Sequence, residues 1–287
     1  MQQKINWFIC QSNSDQILAE GMFNLQRQDV KEASGVKDIY PGNYLISLNS
    51  RPPYYVGEAK NVATRIKQQF KVQTSTFFKT ALKFREYEHL LIHMFRVQNS
   101  ETKIGRKELE EFSIVNIPTQ LNKFQLGKRT HVAPAKTSTL WLHIQSQHDM
   151  LLAEAEQAVL KNTYHPWFDA TVPHLAGVYI VRRRNNEELI YIGESSDIGE
   201  RYETHSGRTY FSALRRHIGT EILGFKLKTI KQKSRYFSQD EDDKVNQFLR
   251  TCQIGYLPIS FGRFELEEFL IKKYHPLLNL KDNDIAI

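Results

Sequence analysis

The stretch IGRKELEEFSIVNIPTQLN, residues 104–122, returns 157 residues later as FGRFELEEFLIKKYHPLLN, residues 261–279. A repeat of this length constrains a chain more than its composition does, because whatever the first copy folds into, the second should fold into as well. The correspondence extends upstream and stays collinear. NWFICQSNSDQILAE (6–20) aligns with LWLHIQSQHDMLLAE (140–154) at an offset of 134. GNYLIS (42–47) aligns with GVYIVR (177–182) at 135, and YYVGEAKNVATR (54–65) with IYIGESSDIGER (190–201) at 136. We therefore expect two tandem domains, 1–125 and 140–287, joined by a polar linker over 126–139. The second copy is longer, and the extra residues are expected around 218–255, a region holding the basic KLKTIKQKSR and the acidic DEDD.

Within one copy the pattern is mixed α/β (α+β). WFIC and WLHI read as short strands, each leading into a helical pattern, so each domain starts with a strand-helix extension. Two further strands follow, GVYIVRR and ELIYIG in the second copy, joined at Asn185-Asn186-Glu187. A turn centred on residue 185 pairs Tyr179 directly with Tyr191; in the first copy Tyr44 faces Tyr55 about Asn49-Ser50. A helix comes next, with Asn61 and Asp197 as N-caps. It carries Arg65 or Arg201 in its first turn, and His205 one turn after Arg201, where the first copy has Gln69.

The closing helix raises a question of charge. At 100° per residue, Phe264, Leu266, Leu270, Ile271 and Tyr274 share an apolar arc, while Glu265, Glu268 and Lys272 face away. Glu267 falls inside the apolar arc, and Glu110 does the same between Leu109, Ile114 and Ile117. An inward carboxylate is costly unless it is paired, hydrogen-bonded or bound to a cation. Tyr, Tyr, Arg, inward Glu and a later Asn, in one order and twice, suit phosphodiester cleavage. A single carboxylate holds a divalent metal on phosphate, Arg offsets charge on phosphoryl oxygens, and a phenol or imidazole moves a proton.

These residues resemble the GIY-YIG nucleases. Gly177-Val178-Tyr179 and Tyr191-Ile192-Gly193 match the two name-giving strands, and Gly42-Asn43-Tyr44 and Tyr55-Val56-Gly57 are their counterparts. Arg201 lies ten residues after Tyr191, and Glu267 and Asn279 flank Pro276 with the spacing E-x8-P-x2-N. Glu194 and Glu58 stand where many members have Lys, and Thr119 stands where the second copy has Pro276. The resemblance implies a small three-stranded sheet packed with helices. It implies catalytic Tyr179, Tyr191, Arg201, His205 and Glu267, together with Tyr44, Tyr55, Arg65 and Glu110. Gly193, Gly57, Asn279 and Asn122 would support the sites. Glu267 and Glu110 would each hold one Mg²⁺ or Mn²⁺.

The chain carries a formal charge of +7, which fits a polyanion partner. DNA is the expected partner, with Arg215, Arg216, Lys226, Lys228, Lys231, Lys233 and Arg235 as candidate phosphate contacts. Only Cys10 and Cys252 occur, which gives neither a disulfide framework nor a zinc spacing and fits a reducing cytoplasm. No apolar run is long enough to cross a bilayer. A monomer with internal pseudo-symmetry, or a homo-oligomer, is expected. The function that follows is a restriction- or defence-type endonuclease with two sites in one chain. The alternatives are a nicking or structure-specific repair nuclease that uses only the second copy, and a non-catalytic nucleic-acid binder.

Overall fold

A computed structural model describes residues 5–48, 55–71, 95–119, 122, 129, 131–230 and 233–279. The chain divides into two compact units, Met1–Leu151 and Leu152–Ile287.

In the first unit, strands β1 (Lys31–Glu32), β2 (Gly42–Leu48), β3 (Tyr55–Ala59) and β4 (Phe95–Glu101) form one antiparallel sheet in the order β1-β4-β2-β3. In the second unit, β5 (His165–Pro166), β6 (Gly177–Arg183), β7 (Leu189–Ser195) and β10 (Cys252–Pro258) take the order β5-β10-β6-β7, again all antiparallel. Each sheet thus has four strands rather than the three expected. The extra edge strand is two residues long, too short to leave a periodic trace in sequence. The central strands β2 and β6 are buried over their first five residues. Covered on both faces, they read as continuous apolar runs rather than as alternation. On one face of the first sheet, Tyr44, Ile46, Val62, Ile66, Phe95 and Val97 form the core; Tyr179, Val181, Ile190, Ile198, Leu249 and Ile254 do so in the second.

The segments WFIC and WLHI are helical, not extended: α1 is Trp7–Ser12 and α5 is Thr139–Ser146. Asn6 caps α1 by accepting from Ile9 N at 2.9 Å. Burial follows helical spacing, with Trp7 and Cys10 in and Phe8 out, and Trp141, Ile144 and Gln145 in with Leu142 out. A four-residue apolar run does not by itself distinguish a strand from a buried turn of helix. Helix α2 (Ser14–Gln26) follows α1, and α6 (His148–Leu160) follows α5. Helix α5 belongs to the first unit. Glu20 Oε2 accepts from the backbone N–H groups of Leu140 (2.8 Å) and Trp141 (3.3 Å). The Gln145 amide bonds Lys103 N, Ile104 N and Ile104 O. The remaining helices that matter here are α3 (Val62–Gln69), α4 (Arg106–Asn116), α7 (Ile198–Ser206), α8 (Ala213–His217), α9 (Gln239–Arg250) and α10 (Arg263–Tyr274).

Between α7 and β10 the chain forms a 3₁₀ turn (Thr209–Phe211), α8, a π-helical turn (Ile218–Ile222), the hairpin β8–β9 (Lys228–Ile230 and Lys233–Tyr236) and α9. The stretch 252–255, expected to belong to inserted material, is part of sheet strand β10. Among the described residues, no helix is long and apolar enough to cross a membrane.

Candidate active site

Each sheet brings two tyrosines together, but not as direct cross-strand partners. Tyr44 faces Gly57 and Tyr55 faces Ile46; Tyr179 faces Gly193 and Tyr191 faces Val181. The turn in the second unit is longer than expected, with Arg183 N bonded to Glu188 O, Glu187 in the left-handed region at φ 57°, and a bulge after Val181. The tyrosines are diagonal neighbours on one face, with ring centroids 6.1 Å apart in both units and interplanar angles of 31° and 32°. The facing glycines follow directly from this. A Cβ on Gly57 or Gly193 would collide with the hydroxyl end of Tyr44 or Tyr179. Tyr44 and Tyr179 are buried while Tyr55 and Tyr191 are partly open. Burial raises the Tyr44 and Tyr179 phenols well above the ordinary range, and the neighbouring tyrosine adds to it. Both therefore stay protonated near neutral pH.

The helix after β3 or β7 adds the cation. Asn61 accepts from Thr64 N and Asp197 from Glu200 N, each at 2.9 Å, so both expected N-caps are present. Arg65 and Arg201 sit in the turns that follow, with exposed side chains. Burial works to lower the Arg65 guanidinium, but Tyr44, Tyr55 and Glu58 outweigh it and hold it above its usual value. One turn on, the units differ. Gln69 Nε2 donates to Tyr44 Oη at 3.0 Å. In the second unit His205 Nε2 lies 2.8 Å from Tyr179 Oη, and its Nδ1 lies 2.7 Å from Ser212 Oγ. Burial, then the charges of Arg201, Arg215 and Arg216, push His205 down to about 3. The ring is neutral near pH 7, with one N–H and one lone pair, so it donates to one hydroxyl and accepts from the other.

The closing helices deliver the carboxylates. Both begin after a glycine in the left-handed region, Gly105 at φ 88° and Gly262 at φ 83°. They are covered more fully than one apolar arc implies: Glu265, expected to face outward, is buried, as are Glu108, Arg106 and Arg263. Glu267 Oε1 accepts from the backbone N–H of Glu194 at 3.0 Å, and the Glu194 carboxylate is bound by Arg263 Nε at 2.8 Å. The glutamate after the glycine of β7 is thus neutralised from below. Glu110 is 3% exposed and forms an ion pair with Lys107 Nζ at 2.7 Å. Burial pushes Glu110 above the usual carboxylate range while Lys107 pulls against it. The residue at the place of Lys107 in the second unit is Phe264. The i, i+3 spacing of Lys107 and Glu110 is the sequence signal for this pair. Arg263, by contrast, had none. Asn43, inside β2, donates to Arg106 O at 2.9 Å and ties the strand to the start of α4.

The asparagines close both sites in one way. Asn122 accepts from Val56 N (3.0 Å) and donates to Val56 O (2.8 Å); Asn279 does the same with Ile192 N (2.9 Å) and Ile192 O (2.8 Å).

The expected phosphate contacts fare unevenly. Arg215 is not a surface cation. It is 1% exposed, forms an ion pair with Asp242 at 3.0 Å, and donates to Asn246 Oδ1 at 2.7 Å. Its partners lie 27 and 31 residues away, so a local reading of charge could not find them. Arg216 is half-buried and donates to the carbonyls of Thr209 and Tyr210. Lys226, Lys228 and Arg235 are exposed, with Lys228 3.3 Å from Glu241. Lys231 lies outside the described residues, and nothing is described of the Lys233 side chain.

A hard divalent ion of the magnesium type needs one or two carboxylates and takes its other ligands from water and phosphate. Glu267, half-buried beside Tyr179, Tyr191 and Arg201, fits that demand. Glu110 does not fit it in the same way, because an ammonium already lies on its carboxylate. Among the described residues no group of three His, Cys, Asp or Glu side chains is arranged to hold a metal ion, so a site of this kind would draw most of its ligands from substrate and water.

A family model described as the GIY-YIG catalytic domain matches residues 169–287. The match spans β6, β7, α7 and α10, and supports a nuclease-type hydrolase domain, acting on DNA, in the second unit. No curated protein and no solved structure matches the chain.

Proposed function

We propose that the chain is a DNA endonuclease that hydrolyses phosphodiester bonds with Mg²⁺ or Mn²⁺ held at Glu267. The observation that carries this reading is the convergence of Tyr179, Tyr191, Arg201, His205 and Glu267 on one face of the second sheet, inside the segment matched by the nuclease family. Bound there, the ion would offset charge on the phosphate and lower the pKa of a coordinated water. The protein's own part is positioning and proton transfer. Arg201 faces solvent and can meet the phosphoryl oxygens as charge develops on them. Tyr191, the more open phenol, is the group that can reach the attacking water. Tyr179, protonated and held by neutral His205, keeps the Tyr191 ring in place. The Glu194 backbone N–H orients the Glu267 carboxylate.

We read the chain as a tandem duplication, and the shared strand order, tyrosine geometry, N-caps and asparagine clamps support that. Two Glu-bearing sites in one polypeptide would give a pseudo-dimer able to cut both strands, as a restriction- or defence-type enzyme would. A second reading is favoured by the Lys107–Glu110 pair: only the second unit cuts, and the first docks DNA.

Supercoiled plasmid with Mg²⁺ separates the two. If both sites cut, the wild type linearises plasmid and Glu110→Gln leaves only nicks. If only the second unit cuts, Glu110→Gln gives the wild-type product. No cleavage with either ion, or full cleavage by Glu267→Gln, removes the nuclease reading.

A further inference from the structure

Between α7 and β10 the second unit carries side chains that the active site does not use. Phe211 is 73% exposed. A lone exposed aromatic is ordinary, but Phe211 is the tip of a group. Its ring meets Tyr210 edge-on at 4.6 Å, and Tyr210 lies stacked on Tyr236 at 4.8 Å. The Arg235 guanidinium is 5.9 Å from the Tyr210 centroid. Arg216 is close enough to Arg235 to feel its charge, and Arg208 is exposed just before the turn. Three rings thus gather on the 3₁₀ turn Thr209–Phe211 and strand β9, with exposed Arg208 and Arg235 beside them and half-buried Arg216 of α8 beneath, holding the carbonyls of the turn.

The base of this group is rigid and tied to the active site. Thr209 and Ser212, on either side of the two rings, are buried. Thr209 bonds Asp242, and Arg215 bonds Asp242, Asn246 and Thr209. Ser212, next to Phe211, lies against His205, and His205 against Tyr179. Phe211 is therefore a fixed projection one residue from the hydrogen-bonded chain that reaches Tyr179, not the tip of a free loop.

Aromatic faces interleaved with arginines are what a nucleic-acid strand requires: rings for the bases, guanidinium groups for the phosphates. An acidic protein surface would use the arginines but leave the rings without purpose. We propose that Phe211 is a stacking wedge, taking the face of an unpaired DNA base next to the phosphate that the second unit holds. This rests on the nuclease reading and narrows it: the preferred substrate is DNA with a gap, bulge or displaced strand, because continuous duplex hides the faces of its bases.

The test uses the full chain carrying Glu267→Gln, so that DNA stays uncut. The probes are a duplex with a single unpaired 2-aminopurine and the matching continuous duplex. The parent should bind the bulged probe about tenfold more tightly and quench its fluorescence, in line with the effect of one stacked base. Phe211→Ala, with its Tm shown to be unchanged, should lose the quench and most of the preference, and Phe211→Trp should keep both. Phe8→Ala, 64% exposed in the first unit, should alter nothing. Equal binding of the two probes, an unchanged quench with Phe211→Ala, or an equal effect of Phe8→Ala overturns the wedge. Plasmid cleavage that depends on Glu267 but ignores Phe211 would sink the wedge and leave the nuclease. Phe211-dependent binding without any cleavage would do the reverse.

Discussion

The two units set nearly the same residues at nearly the same distances, yet they surround their glutamates differently. In the second unit Glu267 accepts from the backbone N–H of Glu194, whose own carboxylate is held by Arg263. In the first unit Lys107 lies directly on Glu110. A buried histidine holds the inner tyrosine of one unit and a glutamine that of the other. The comparison separates what the scaffold needs from what chemistry needs. The tyrosine pair, the facing glycine and the asparagine clamp are common to both. The lysine on Glu110 is not common to both, since Phe264 stands at its place in the second unit.

The sharpest way to break this comparison is to remove each carboxylate in turn. Glu267→Gln is expected to lower DNA cleavage by about 10³-fold, the scale of losing a main electrostatic contact to the transition state. Glu110→Gln is expected to change the rate less than about twofold if Lys107 already excludes the ion. Equal losses would show two equivalent sites. Exchanging the neighbours is next. Phe264→Lys should place an ammonium against Glu267 and reduce cleavage by about 10²-fold, comparable to a one-sided electrostatic change at a metal site. Lys107→Phe should add one bound Mn²⁺ per chain, counted by electron paramagnetic resonance. An unchanged count would mean that Lys107 does not guard Glu110.

A smaller effect is expected from the shared clamp. Asn122→Ala and Asn279→Ala each strand one buried backbone N–H and one C=O, costing about 2 kcal/mol or somewhat more. The two should match, as read from urea midpoints, since the geometry matches; a large inequality would mean that the clamps are not equivalent. The smallest effect concerns pH. His205 has a folded pKa of about 3, below its unfolded value near 6.5, so the unfolded chain binds the extra proton. Its contribution is full above pH 6.5 and is lost as pH falls toward 3. Between pH 7.5 and 5.5 the loss is on the order of 1 kcal/mol. His205→Gln, which copies the first unit, should remove that part of the acid sensitivity. If the variant and the wild type lose stability equally over this range, His205 is not held neutral.

Much of this was legible from residue order. The hairpin strands, both N-caps and an inward Glu at each closing helix follow from local patterns that the folded chain obeys. What was not legible came from distance or brevity. Arg215 looked like a surface cation because Asp242 and Asn246 are far along the chain. The tyrosines miss direct pairing by two residues in both units, because turn geometry sets the register and Asn residues alone do not specify it. The edge strands are two residues long, and WFIC and WLHI are single helical turns whose apolar runs imitate strands. The wheel also set Glu265 in solvent, since it assumed a helix covered on one side only.

The asparagine clamp also bears on timing. Asn122 reaches back 66 residues to its strand and Asn279 reaches back 87. A growing chain presents the tyrosines and Arg201 well before Glu267 and Asn279 leave the ribosome. In each unit the clamp therefore closes only after the hairpin it holds has long been made.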